Sequence, residues 1–148
     1  MVARITVRGA TFEDRRALWV WRNDPLTNTL FAVDGSLKYS DHCAWFQRVQ
    51  DGNAGTLLIG LIDTLRIGAV YFRPTIGNEM EAGVFLKPVH SGKGYASKLL
   101  EEAVNFLGQS HNSATIVANL GPGQERLAET YRQAGFSSSD GSRCYLDI

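Results

Sequence analysis

The run Lys87-Pro88-Val89-His90-Ser91-Gly92-Lys93-Gly94-Tyr95-Ala96 decides how this chain is read. It lies between two patterns of different period. Met80 to Leu86 before it reads as a strand, and Leu99, Leu100, Ala103, Val104 and Leu107 after it form one apolar stripe at helical spacing. The segment is therefore a strand-to-helix turn, and Gly92 and Gly94 let the backbone approach a ligand closely. The first amides of a helix lack partners within it and carry the positive end of its dipole, which suits such a turn to a pyrophosphate. A plain turn using glycine for geometry is the other reading these residues allow. A Walker loop needs Gly-x-x-x-x-Gly-Lys-Ser/Thr, which Gly92-Lys93-Gly94-Tyr95 does not supply. A Rossmann fingerprint needs a third glycine near position 97, but Lys98 follows instead.

Upstream of the turn, Leu57 to Ile62, Ile67 to Phe72 and Met80 to Leu86 read as three strands. They are linked by Asp63-Thr64 and Pro74-Thr75-Ile76-Gly77-Asn78, and links this short imply an antiparallel meander. Nearer the N-terminus, Ile5 and Val7 belong to a first strand. Thr11 with Asp14 three residues on is a capping-box signature for a helix that runs to about Trp21 and stops at Asn23-Asp24-Pro25. Residues 25 to 39 show no clear period and read as a loop or broken helix. Ser40 is the N-cap candidate for a helix carrying Ala44, Trp45 and Val49 that stops at Asp51-Gly52. Downstream, Ala114 to Leu120 is a strand, Gly121-Pro122-Gly123 a break, Glu125 to Gln133 a helix, and Arg143 to Ile148 a last strand. The expected fold is α/β (α+β): a mixed, mostly antiparallel sheet of six to seven strands with about four helices on its two faces.

The 148 residues fit one domain spanning 1–148, with no repeat or internal linker. Fifteen basic and fifteen acidic side chains cancel, so no overall field draws the chain to nucleic acid or an anionic membrane. Cys43 and Cys144 stand far apart without a CxxC or a nearby His cluster. That pattern favours reduced thiols over a disulfide or a metal site, so no metal is expected. The N-terminus has no apolar signal-peptide core, and the longest apolar run is too short to span a bilayer. A cytoplasmic location is expected.

Ser91-Gly92-Lys93-Gly94-Tyr95-Ala96 resembles the coenzyme A signature of the Gcn5-related N-acetyltransferase superfamily, Gln/Arg-x-x-Gly-x-Gly/Ala. It matches at Gly94 and Ala96 and departs at Ser91. Tyr131-Arg132-Gln133-Ala134-Gly135-Phe136 resembles the family's late Tyr-x-x-x-Gly-Phe, and Glu81-Ala82-Gly83-Val84-Phe85-Leu86 resembles its fourth strand. The N-terminal half, Trp21-Arg22-Asn23-Asp24-Pro25 and Ser40-Asp41-His42-Cys43-Ala44-Trp45-Phe46, is similar to a narrower group. Its members acetylate nucleotide-linked amino sugars in pseudaminic acid-type and spore-coat polysaccharide pathways. Similar words occur in the branch that acetylates ribosomal protein N-termini. After Gly135-Phe136 too few residues remain for the family's usual two-strand hairpin, so one strand is expected to be curtailed or absent.

The resemblance implies acetyl-CoA as co-substrate and a small primary amine as acceptor, favouring a nucleotide-linked amino sugar. A protein N-terminus is the alternative acceptor, and a non-catalytic acyl-CoA-binding module is the alternative class. It further implies that backbone at Val84, Phe85 and Leu86, the turn Ser91, Gly92, Lys93, Gly94, Tyr95 and Ala96, and side chains Asn119 and Gln124 contact the coenzyme. The family's usual Asn falls here on Gln124. Tyr131 is the candidate acid, since a phenol is protonated at neutral pH and can bond the coenzyme sulfur, with packing on the core as its other reading. Glu81 is the candidate base. In a strand it shares a face with Glu79, and two clustered carboxylates would raise one pKa toward neutrality; two solvated carboxylates beside a turn are the other reading. His42 and His90 are fallback bases, with a structural role between the first two helices the better reading for His42. Trp21, Arg22, Asn23, Phe31 and Tyr71 are the candidate acceptor-pocket residues, Arg22 for a phosphate and the aromatics with core packing as their other reading. An exposed sheet edge invites pairing and leaves a homodimer open.

Overall fold

The computed structural model describes residues 4–24, 37–90, 92–111, 113–121, 124–138 and 142–148. Of the candidate site residues, Phe31 and Ser91 lie outside these. The chain runs β1 (Ile5–Gly9), a 3₁₀ turn (Phe12–Asp14), α1 (Arg15–Asn23), α2 (Tyr39–Gln50), β2 (Thr56–Ile62), β3 (Leu65–Pro74) and β4 (Glu79–Leu86). A 3₁₀ turn (Pro88–His90) leads to α3 (Tyr95–Gly108), then β5 (Thr115–Asn119), α4 (Glu125–Gln133), β6 (Ser137–Ser138) and β7 (Arg143–Asp147). The strands form one seven-stranded sheet in the order β1-β2-β3-β4-β5-β7-β6. Every neighbouring pair is antiparallel except β4 and β5, which α3 connects by carrying the chain back to the same end of the sheet.

Each face of the sheet buries its own set of side chains. On one face Leu99, Leu100, Ala103, Val104 and Leu107 of α3 and Tyr131 of α4 pack on Leu58, Val70, Phe72, Ala82, Val84 and Ile116. On the other, Leu18 and Trp21 of α1 and Phe46 and Val49 of α2 pack on Leu57, Ile59, Ala69, Tyr71 and Phe85. The period of two along β3 and β4 divides these sets, as it must in a strand covered on both faces.

Element types match the expectations from sequence where the residues are described; the expected loop over 25 to 39 lies outside them up to residue 36, as do Pro122 and Gly123, and the boundary differences elsewhere have local causes. The Asp14 carboxylate accepts the Thr11 N–H at 2.8 Å, as the capping-box pattern requires, but a 3₁₀ turn precedes α1. Helix α2 begins at Tyr39 after Lys38, two residues earlier than a Ser40 cap would set it. The curtailed strand is β6, which pairs with β7 only at Ser137↔Tyr145 and Ser138↔Cys144. Cys43 and Cys144 are free thiols. No helix among the described residues is long and apolar enough to cross a membrane.

Candidate active site

The site follows from where the sheet stops being a sheet. β4 and β5 pair at Glu79↔Thr115, Met80↔Ile116 and Glu81↔Val117 and no further. β4 nevertheless continues through Leu86, held on its other side by β3 as far as Gly68↔Leu86. The Lys87 N–H donates to the Ile67 carbonyl at 2.8 Å, which fixes the phase of that ladder. In an antiparallel pair alternate residues bond the partner and the rest face away. Gly83 and Phe85 therefore bond β3, while Ala82, Val84 and Leu86 turn their backbone groups toward β5, where the strands have parted. Of the three β4 positions expected at the coenzyme, Val84 and Leu86 present N–H groups to the gap. Phe85 does not: its amide serves β3 and its ring is buried against the α1/α2 side.

The open end of this gap leads into the glycine turn. Gly92 and Gly94 have φ of +77° and +79°, the left-handed region that side chains rarely adopt. Nothing lies within 4 Å of where a Cβ would stand on either, so the backbone is accessible from outside. Gly94 is the N-cap of α3, and the first α3 amides at Tyr95 and Ala96 are unpaired donors of the helix start. Lys93 is exposed beside them. His90 sets its ring edge-on to Tyr95 at 5.7 Å, and burial, then Lys93 and Lys87, push its pKa down.

Tyr131 closes the narrow end. Its side chain is buried, 1% exposed, and its hydroxyl donates to the Ala82 carbonyl at 3.1 Å, the first β4 carbonyl past the last β4–β5 pair. Burial foremost, with Cys144 and Glu81 nearby, pushes the phenol pKa up, so it remains protonated. Asn119 and Gln124 are engaged within the protein. Asn119 Nδ2 donates to Glu81 Oε2 at 2.8 Å, and Gln124 Oε1 accepts the Gly121 N–H at 2.5 Å at the start of α4.

The two strand carboxylates overturn the expectation of a raised pKa. Glu81 receives Arg73 at 2.8 Å as well as Asn119, and Glu79 receives Thr75 at 2.7 Å and Arg143 at 2.5 Å. Burial pushes the Glu81 pKa up, but the bonds from Arg73 and Asn119 outweigh it and the net direction is down. Glu79 is also lowered, by Thr75 and then Arg143. Each carboxylate has its own cation, so neither is driven to hold a proton near neutrality.

On the α1/α2 face the candidate acceptor residues divide. Trp21 is a core side chain, 5% exposed. Asn23 clamps the end of α1 to residue 37, accepting the Leu37 N–H at 2.6 Å and donating to the Trp19 carbonyl at 3.0 Å. Arg22 lies 4.3 Å over the Trp45 ring and donates to His42 Nδ1 at 3.1 Å, with its Nε buried and without a hydrogen-bond partner among the described residues. Burial lowers its pKa to about 10, against the attraction of Tyr71. Arg22 is thus packed behind Trp45 rather than extended toward a phosphate. Because guanidinium only donates, His42 Nδ1 accepts, and Nε2–H donates to the Arg15 carbonyl at 2.8 Å. Burial first, opposed by that bond, takes the His42 pKa to about 4. His42 is a neutral brace between α1 and α2, the structural role expected for it.

Tyr71 does line a cleft, of about 320 Å³, with its hydroxyl donating to the Ala54 carbonyl and its ring edge-on to Trp45 at 5.1 Å. Trp45, Arg48, Asn53 and Arg73 line the same cleft and were not singled out by sequence reasoning. The available signals were the i, i+3 spacing of Trp45 and Arg48 and the cross-strand position of Arg73 opposite Glu81. Among the described residues no group of three or more His, Cys, Asp or Glu side chains forms a metal site.

The family model described as an acetyltransferase (GNAT) domain matches residues 4–137. The chain belongs to the GNAT acetyltransferase family. Its fold is that of a spermidine N-acetyltransferase from Vibrio cholerae in complex with CoA and spermine (TM-score 0.81, 18% identity, 97% of this chain and 95% of that one). It is also similar to the aminoglycoside acetyltransferase AAC(6')-Ib in complex with coenzyme A and kanamycin (TM-score 0.79, 18% identity, 98% and 94%). A third similar structure is an N-acetyltransferase from Staphylococcus aureus Mu50 (TM-score 0.76, 20% identity, 98% and 99%). No curated protein matches the chain by sequence. This GNAT domain therefore carries the parted strands and the glycine turn on one continuous edge of β4.

Proposed function

We propose that this GNAT domain is an acetyl-CoA-dependent N-acetyltransferase whose acceptor is the primary amine of a nucleotide-linked amino sugar. The observation that carries the coenzyme part is the gap beside β4, where the Val84 and Leu86 amides face away from β3 toward parted strands. The gap runs into the open, left-handed Gly92–Gly94 turn and the first amides of α3. These groups suit a chain with a polar thioester end and an anionic pyrophosphate end, and acetyl-CoA supplies the activated acyl group when bound. The N–H groups of Val84 and Leu86 are fixed donors for an oxygen that gains negative charge in the gap. Tyr131, protonated and bordering the gap, is the proton donor for a leaving thiolate if its O–H turns from the Ala82 carbonyl. Glu81 is held ionised by Arg73 and Asn119, which fits attraction and orientation of an acceptor ammonium on the α1/α2 face; the ammonium gives one proton to solvent water, the neutral amine forms the bond to the acyl carbon, and the carbon–sulfur bond breaks to the thiolate. A cytoplasmic location belongs to the same reading.

One observation favours a second reading, an acyl-CoA-binding module without turnover. The Tyr131 hydroxyl is buried and already bonded to backbone. Release of free thiol from acetyl-CoA, measured with and without a uridine diphosphate-linked amino sugar, separates the two. Acceptor-dependent release with a mass gain of one acetyl group supports the enzyme. Tight coenzyme binding with no release for any amine supports the module.

A further inference from the structure

The cleft beside Trp45 lies one strand across from the point where β4 and β5 part. Tyr71 pairs with Gly83 and Arg73 with Glu81, the residues that flank Ala82. Adjacent strands are about 4.8 Å apart, so between one and two strand spacings, on the order of 5–10 Å, separate the cleft over β3 from the far edge of β4, a span that a sugar with its phosphoryl link covers. Its lining is an aromatic wall, Trp45 and Tyr71, with two guanidinium groups, Arg48 and Arg73, and no carboxylate among the described residues. Arg73 is paired with Glu81, which leaves most of its donors unused, and its side chain is 50% exposed. Arg48 is exposed and makes no ion pair among the described residues. Guanidinium forks match phosphoryl oxygens, and indole and phenol rings suit a flat ring or sugar face.

We propose that this cleft is the acceptor's anion subsite, seating a phosphoryl group carried by the amine-bearing sugar. The inference rests on the N-acetyltransferase reading above and narrows its substrate class. It also sets this chain apart in specificity from the similar structures that hold spermine or kanamycin, both polycations. Arg48, which has no ion-pair partner among the described residues, attracts a phosphorylated acceptor and repels a polyammonium one, while Arg73, its charge balanced by Glu81, adds hydrogen-bond donors for phosphoryl oxygens.

The test uses the full chain saturated with coenzyme A, so that the glycine turn is filled before a second phosphate ligand is added. Uridine diphosphate and inorganic pyrophosphate are then titrated calorimetrically, and spermidine is titrated in parallel. The expected result is binding of uridine diphosphate in the wild type, weakened at least tenfold in Arg48→Ala and abolished in Arg48→Glu, with coenzyme affinity unchanged. Trp45→Leu should weaken uridine diphosphate more than pyrophosphate if the flat ring stacks in the cleft. Equal losses for both ligands place the phosphoryl group alone there, which still upholds the subsite. Coenzyme binding with no uridine diphosphate binding, or binding indifferent to Arg48→Glu, overturns the subsite while leaving the transferase reading intact. Spermidine binding more tightly than uridine diphosphate overturns it as well. Failure of the wild type to bind coenzyme A at all removes the parent reading, and the subsite's role falls with it.

Discussion

Replacing Asp14 by Asn should cost stability in a pH-dependent way that the structure sets numerically. Asp14 is 2% exposed and holds Arg8 by bonds of 2.7 and 3.0 Å, Arg66 at 3.2 Å and the Thr11 N–H at 2.8 Å. Burial pushes its carboxyl up, but Arg8, the Thr11 amide and Arg66 reverse that and hold it at about 2 against an ordinary 3.8. At roughly 1.36 kcal/mol per pKa unit the charged form contributes about 2.4 kcal/mol. Exposure of the two arginine side chains, 39% and 38%, trims this to about 2 kcal/mol by solvent screening. The folded pKa is the lower one, so the contribution is complete above the unfolded carboxylate pKa and is lost as pH falls toward 2. Asn keeps one acceptor oxygen for the Thr11 N–H and Arg8 but loses the charge and turns an NH2 toward the remaining guanidinium donors, so the pH-dependent part of the loss is the part that reports the charge. Urea unfolding of wild type and Asp14→Asn should therefore differ by about 2 kcal/mol at pH 7 and by about half that at pH 3. A loss of the same size at both pH values, or none at pH 7, would refute the electrostatic account.

Three further outcomes follow from the same geometry. His42 has a folded pKa near 4 against 6.5, so its contribution is present above 6.5 and fades between there and 4. His42→Gln should flatten the wild-type stability profile across that window, where up to about 3 kcal/mol is at stake. Tyr131→Phe strips the Ala82 carbonyl of its 3.1 Å donor and should cost about 1–2 kcal/mol in urea unfolding. If Tyr131 is also the proton donor, turnover should fall while coenzyme affinity holds. Gly94→Ala meets no neighbour within 4 Å but must adopt φ near +79°, so it should cost about 1–2 kcal/mol and weaken coenzyme binding in calorimetry.

Much of the fold was legible because the chain's periods are clean. β2, β3 and β4 read as short apolar runs bounded by turns because both their faces are covered, and the α3 stripe reads as a helix because one face of it meets a buried layer. The glycine turn was legible for a related reason: left-handed backbone at Gly92 and Gly94 admits little else. Side-chain partners were not legible. Glu79 and Glu81 read as a like-charge pair because nothing in sequence spacing brings Arg143 to them, and Arg73 faces Glu81 only once the β3–β4 register is known; Arg143 arrives from β7 through a 64-residue separation. Arg22 read as a phosphate ligand, whereas its bond to His42 depends on how α1 crosses α2. The cleft joins α2 to β3 and belongs to no single periodic segment.

The central claim is that the parted strands and the glycine turn hold acetyl-CoA. Calorimetric titration of the wild-type chain with acetyl-CoA, with adenosine diphosphate and desulfo-coenzyme A as controls, tests it most directly. Micromolar acetyl-CoA binding, much weaker adenosine diphosphate binding and a loss in Gly94→Ala are the predicted results. No binding of acetyl-CoA at millimolar concentration would contradict the account and leave a GNAT fold put to another use.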